Sequence, residues 1–246
     1  MAGIIYLVAT PIGNLEDITL RAIRILQEVD IVVAEDTRQT LKLLNHLEIS
    51  KKMISFHRHS TEEKINEIID KVKQENNIAL VSDAGTPVIS DPGEEIVIKA
   101  LEEGIKIIPI PGPCALITAL IASGIDAKEF TFLGFLPLNK KLRKEKLNEI
   151  KVAKKTTIMY EAPHKLIETL SDLKEITGTR KIVLARELTK IHEEYIAGIA
   201  EELLEKIKEP KGEFVIVIDK TYEEEKAIFD DMTLEEHYNY YEQKRT

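Results

Sequence analysis

The sequence predicts an α/β protein made of two α/β domains with a cleft between them. Three observations carry this. Short apolar runs alternate regularly with segments of helical period through about residue 120. Beyond that point the texture changes, and a polar connector at 124–129 precedes a new series of strand and helix patterns. Turns rich in Gly, Pro, Ser, Thr and Asp follow several strands, where ligands bind in open α/β sheets. The division falls near residue 118. It gives an N-terminal domain 1–118, a C-terminal domain 119–220 and an acidic, tyrosine-rich tail 221–246. Interfaces between domains are favoured small-molecule sites.

Residues 4–9 read as the first strand, and Pro11-Ile12-Gly13-Asn14-Leu15 is the loop that leaves it. Asp17 or Thr19 caps a helix whose apolar positions Leu20, Ile23, Leu26 and Val29 recur at helical spacing. Residues 30–34 form the second strand, followed by Glu35-Asp36-Thr37-Arg38 and a helix through Leu47. The third strand, 53–56, leads through His57-Arg58-His59-Ser60-Thr61 into another helix. Strand 78–81 and helix 94–101 flank the densest turn of the chain. Strand 105–110 ends in Pro111-Gly112-Pro113-Cys114-Ala115, and a helix opening at Pro113 suits the preference of proline for a first turn. In the second half, 130–135, 156–160, 181–185, 195–198 and 213–219 read as strands. A basic helix follows the first of these, and Pro163 starts a helix through Ile176.

The chain has 246 residues and is 43% hydrophobic, enough to bury a sizeable core. No apolar run approaches the roughly 20 residues that span a bilayer. The N-terminus enters a strand directly and lacks the pattern of a signal peptide. A single cysteine, Cys114, excludes an internal disulfide framework and a cysteine-based zinc cluster. A cytoplasmic protein with no membrane partner is the expectation. His57 and His59 stand two apart with no third ligand nearby in sequence, so no metal is expected. Net charge is −9, yet residues 140–155 hold eight Lys and Arg against two Glu. That run is either a solvated helix face or a contact for nucleic-acid phosphates.

The turn Ser82-Asp83-Ala84-Gly85-Thr86-Pro87 continues through Ser90-Asp91-Pro92-Gly93. It lacks a phosphate-loop lysine and the spaced glycines of a dinucleotide fingerprint. Its ligand therefore calls for small residues and close backbone rather than a phosphate cradle. The alternative is an ordinary strand-to-helix turn with Asp83 as a cap.

Five segments in order carry a resemblance. They are 8–15, the Asp83 turn, 109–113, Tyr160-Glu161-Ala162-Pro163-His164, and Arg186-Glu187-Leu188-Thr189-Lys190 with Glu193 and Glu194. Together they resemble the tetrapyrrole methylase superfamily, and within it the branch that acts on small-subunit ribosomal RNA. The resemblance implies the tetrapyrrole methylase type of fold, with S-adenosylmethionine in the cleft. It also implies a homodimer, and methyl transfer to the 2′-oxygen of a cytidine in the decoding region of small-subunit RNA, free or in the ribosomal subunit. The loop after the first strand, Thr10-Pro11-Ile12-Gly13, argues against a tetrapyrrole or corrin acceptor, whose methylases usually carry Gly-Pro-Gly there. A non-catalytic ribosome-binding protein is the alternative of another class.

The resemblance places Ser82, Asp83, Ala84, Gly85 and Thr86 in the cofactor turn, with Cys114 and Ala115 in a second lining loop. Tyr160, Pro11 and Phe214 complete the expected cofactor set. A ribose hydroxyl is a weak nucleophile, so a base assists its attack on an activated methyl group. Glu161, His164 and Glu187 are the candidate bases, and each also has a structural reading, such as Glu187 pairing with Arg186 or Lys190. Lys165, Arg186, Asn14, Arg38 and Arg58 are the candidates for holding RNA.

Overall fold

A computed structural model describes residues 2–221; the acidic tail lies outside the described residues apart from Thr221. The first five strands are β1 (Ile4–Val8), β2 (Ile31–Ala34), β3 (Lys52–Ser55), β4 (Ile78–Val81) and β5 (Lys106–Ile110). They form one sheet in the order β3-β2-β4-β1-β5, with every pairing parallel. Helices α1 (Leu20–Glu28), α2 (Thr37–His46), α3 (Glu62–Lys73) and α4 (Glu94–Glu102) cover it. Alternate side chains of β1 serve opposite cores: Ile5 and Leu7 pack on one face, Tyr6 and Val8 on the other. Chain order reverses between β1 and β4, which makes their junction the switch point where such sheets bind ligands.

The second sheet is mixed. It comprises β6 (Phe130–Phe135), β7 (Thr156–Glu161), β8 (Ile182–Arg186), β9 (Glu194–Gly198) and β10 (Phe214–Ile218). Their order is β6-β7-β10-β8-β9, with only β6 and β7 parallel. Helices α6 (Lys140–Lys151), α7 (Pro163–Thr177) and α8 (Ala200–Lys206) accompany it. Helix α5 (Ala115–Ala122) packs on β7 and β10, and its Leu116, Ala119 and Leu120 join Val215 and Val217 in one apolar cluster. Phe214, Ile216 and Ile218 of β10 face the opposite cluster, so β10 is buried on both faces.

Two local differences from the sequence reading concern the site. Helix α5 starts at Ala115 rather than at Pro113, because Cys114 is extended (φ −147°, ψ 110°) and caps it. The Pro113 carbonyl is thereby left to accept a hydrogen bond from Thr86 Oγ1 at 3.1 Å. A short 3-10 turn, Leu15–Asp17, precedes α1; Asn14 caps it and Thr19 caps α1 itself. No described helix is long and apolar enough to cross a membrane.

Candidate functional site

The carboxyl end of the first sheet meets one end of the second across a cavity of about 470 Å³. At the switch point, Thr10 and Gly85 exchange backbone bonds, Thr10 N–H to Gly85 O at 2.9 Å and Gly85 N–H to Thr10 O at 3.0 Å. Thr10 Oγ1 also donates to the Ser82 carbonyl at 3.2 Å, and Ser82 Oγ donates to the Gly85 carbonyl at 3.0 Å. These four bonds fix the start of the Asp83 turn. Gly85 has φ +85°, and an added Cβ there would lie 3.1 Å from Ile12 Cγ2. Val88 (φ 74°) and Ser90 (φ 65°) hold left-handed backbone too. For a β-branched residue such as Val88 that is strained, and strain of this kind concentrates at functional sites.

Asp83, Ala84, Gly85 and Thr86 line the cavity, with Cys114 and Ala115 opposite. Tyr160 and Phe214 contribute from the second sheet. Ser82 lies behind this wall, buried, and supports the turn rather than lining it. Pro11 does not line the cavity, whereas its neighbour Ile12 does. Burial, then the nearby Cys114, pushes the Tyr160 phenol up to about 12. Its ring meets Phe132 and Phe135 edge-on, with centroids 4.9 and 5.6 Å away.

Every charged side chain lining the cavity is acidic: Glu35, Asp83, Asp91, Glu161 and Glu213. Burial, then repulsion from Glu35, pushes the Asp91 carboxyl up to about 6. Burial and the Asp83 charge raise Glu35 likewise. Asp83 Oδ1 accepts the Asp36 N–H at 2.9 Å, which joins the β2 and β4 loops. Arg58 reaches this group from the loop after β3, where its guanidinium donates to the Ser90 carbonyl and its charge opposes both upward shifts. Glu35 and Asp91 were not singled out in the sequence. Asp91 sits inside the turn already noted, and Glu35 follows a parallel strand at the ligand-binding end.

The three expected bases are placed differently. Glu161 lines the cavity, but its Oε1 accepts the Ala162 N–H at 2.9 Å and its Oε2 accepts Thr169 Oγ1 at 2.5 Å. Glu187 lies outside the lining, with Oε1 accepting Lys190 Nζ and the Glu213 N–H, both at 3.0 Å. Burial raises the Glu187 carboxyl, but those two donors outweigh it and hold it low, which makes it a poor base. His164 is exposed on α7 and does not line the cavity.

None of the expected RNA-holding residues lines the cavity. Arg38 forks onto Asp36, and Lys165 pairs with Glu168 at 2.9 Å. Arg186 donates to the Lys211 carbonyl at 2.8 Å and pairs with Glu194 at 3.2 Å. Asn14 Oδ1 is taken by the Glu16 N–H. On α6, Arg143 is drawn inward to Asp172 and Thr169, whereas Lys140, Lys141 and Lys144 form no ion pair among the described residues. No group of three or more His, Cys, Asp or Glu among the described residues is arranged to hold a metal.

The family model for tetrapyrrole (corrin/porphyrin) methylases matches residues 4–204. The ribosomal RNA small subunit methyltransferase I of Halalkalibacterium halodurans is 49% identical over 244 residues, covering 97% of this chain and 84% of its own. The protein of that name from Thermotoga maritima is 43% identical over 218 residues, covering 88% and 98%. Among solved structures, uroporphyrin-III C-methyl transferase from Thermus thermophilus complexed with S-adenyl homocysteine aligns with a TM-score of 0.63 at 16% identity, over 87% of this chain and 97% of that one. A diphthine synthase aligns with a TM-score of 0.68 at 16% identity, over 89% and 91%.

Proposed function

The chain belongs to the tetrapyrrole (corrin/porphyrin) methylase family, and we propose that it uses S-adenosylmethionine to methylate the 2′-oxygen of a cytidine in small-subunit ribosomal RNA. The observation that carries the cofactor is the cavity's charge: it is lined by acidic groups only, beside small residues and backbone. A cationic ligand without phosphate fits that donor set, and a nucleotide phosphate does not. The RNA acceptor rests on the names of relatives 43–49% identical to this chain. A cytoplasmic homodimer and the domain division near residue 118 belong to the same reading.

When bound, the cofactor supplies an activated methyl carbon whose bond to sulfur breaks with the electron pair leaving to sulfur. The chain's own residues do the rest. Asp83, Gly85 and Thr86 shape one wall and Cys114 and Ala115 another. Asp91 accepts the proton of the attacking hydroxyl, because it lines the cavity and its raised pKa suits a base near neutral pH. Arg58 restrains the mutual repulsion of Asp91 and Glu35. Glu161 and Glu187 position the ends of β7 and β8.

Labelled cofactor mixed with undermethylated small subunits tests this reading. Methyl incorporation into RNA, mapped to a 2′-oxygen, supports it. Transfer only to a corrinoid supports the rival acceptor, and binding without transfer supports a non-catalytic role.

A further inference from the structure

Phe135 is carried to the cavity by an irregularity in β6. Thr131 pairs with Thr157 and Phe132 with Ile158, but the next pairing is Phe135 with Tyr160. One extra residue stands between, and Gly134 supplies it in left-handed backbone at φ +64°. The consequence follows from the two-residue period of a strand. Leu133 and Leu136 both pack on the α7 side, although an unbroken strand would send them to opposite faces. Phe135 is correspondingly turned onto the face of Phe132 and Tyr160, where an unbroken strand would have pointed it away.

The ring so delivered is not core. Phe135 is 52% exposed and lines the cavity, backed edge-on by the Tyr160 ring at 61°. A Cβ on Gly134 would lie 3.1 Å from Ser90 Oγ, so the bulge also abuts the strained turn of the first sheet. Five residues after Phe135 the chain enters α6, which carries Lys140, Lys141 and Lys144, none of them in an ion pair among the described residues. An exposed aromatic face lining a cavity, followed directly by a run of lysines, is the arrangement that stacks a base and holds its phosphates.

We propose that Phe135 is the stacking platform for the acceptor nucleobase of the RNA, turned out of its strand so that its ribose reaches the cavity. This rests on the RNA reading above and adds the residue that recognises the base. The small-residue part of the cavity by Cys114 and Ala115 is left to the cofactor.

The test uses Phe135→Ala, Phe135→Leu and Phe135→Tyr with undermethylated small subunits, and measures cofactor affinity of each variant by calorimetry. Stacking on one aromatic ring is worth about 1–3 kcal/mol, so kcat/KM for subunits falls about 5- to 150-fold in the Ala and Leu variants. Phe135→Tyr stays within about three-fold of the parent, and cofactor Kd stays within about two-fold throughout. Full activity in Phe135→Leu, or no loss in Phe135→Ala, overturns the proposal in favour of plain packing. A loss of cofactor affinity equal to the loss in kcat/KM overturns it in favour of adenine contact. A parent protein that transfers no methyl to RNA overturns the RNA reading and this inference together; normal transfer by both parent and Phe135→Ala overturns the inference alone.

Discussion

Glu187 and Glu213 are joined twice: the Glu187 N–H donates to the Glu213 carbonyl and the Glu213 N–H donates to Glu187 Oε1, both at 3.0 Å. Glu187 takes left-handed backbone (φ 49°) to do so, and its carboxylate packs on Gly212, where a Cβ would lie 2.5 Å from it. The pair ties the loop after β8 to the start of β10, next to Phe214 in the cavity wall. Glu187 therefore acts as a positioning residue.

Glu187→Ala leaves the Glu213 N–H without its acceptor and Lys190 with Glu213 as its remaining carboxylate, and costs about 1–3 kcal/mol of stability by denaturant titration. Glu187→Gln retains one acceptor oxygen and costs less than Ala. The pH–rate profile of either variant keeps the shape of the parent. An acid limb that disappears in Glu187→Gln would return Glu187 to the chemistry.

Gly85→Ala places a Cβ in left-handed backbone against Ile12. The expected cost is about 1–2 kcal/mol in a thermal melt, with cofactor affinity reduced because the Thr10–Gly85 bridge fixes the Asp83 turn. Gly104 has φ +67° with nothing within 4 Å of its Cβ position, so Gly104→Ala is the control: similar strain, unchanged cofactor affinity.

Asp91 links pH to cofactor binding. Its carboxyl is raised to about 6, so below that pH it is protonated and the cavity loses a negative charge. Affinity for the sulfonium cofactor is then expected to weaken by about five-fold as pH falls through 6, and affinity for the uncharged thioether product to change less. The same shift has the opposite sign for folding. A raised carboxyl pKa means that native stability is lost as pH rises from the ordinary Asp value to about 6, and stays lost above it. Asp91→Asn is thus expected to gain stability at neutral pH, of order 1 kcal/mol once solvent screening at a partly exposed group is allowed for. It loses turnover and flattens the pH dependence of cofactor binding. Calorimetry across pH and a paired denaturant titration check both signs.

The RNA reading assigns the electrostatic part of binding to Lys140, Lys141 and Lys144 on α6. Reversing all three is expected to weaken subunit binding and to reduce the slope of log K against log salt by about 2, since each phosphate contact to single-stranded RNA contributes roughly 0.7. An unchanged slope would make this helix face merely solvated.

The parallel half of the fold was legible because its strands are short apolar runs closed by Gly- and Pro-rich turns, each followed by a helical period. The turn at Asp83 announced a ligand for the same reason. What the sequence concealed was orientation. Residue type and position after a strand do not distinguish Glu161, whose oxygens are turned to Ala162 and to Thr169 on the next helix, from Asp91, which lines the cavity; the difference lies in side-chain orientation. The turning of Phe135 depends on a register shift against β7, which strand periodicity alone predicts with the wrong face. Helix α8, seven residues long, is too short to give a firm period.

The most direct measurement is to incubate the protein with undermethylated small subunits and methyl-labelled cofactor, digest the RNA and identify the labelled nucleoside by mass spectrometry. The account predicts a single product, 2′-O-methylcytidine, that is reduced on reversing the α6 lysines and strongly reduced in Asp91→Asn. Label on a base carbon or nitrogen, or no label in RNA while a corrinoid is methylated, would contradict it.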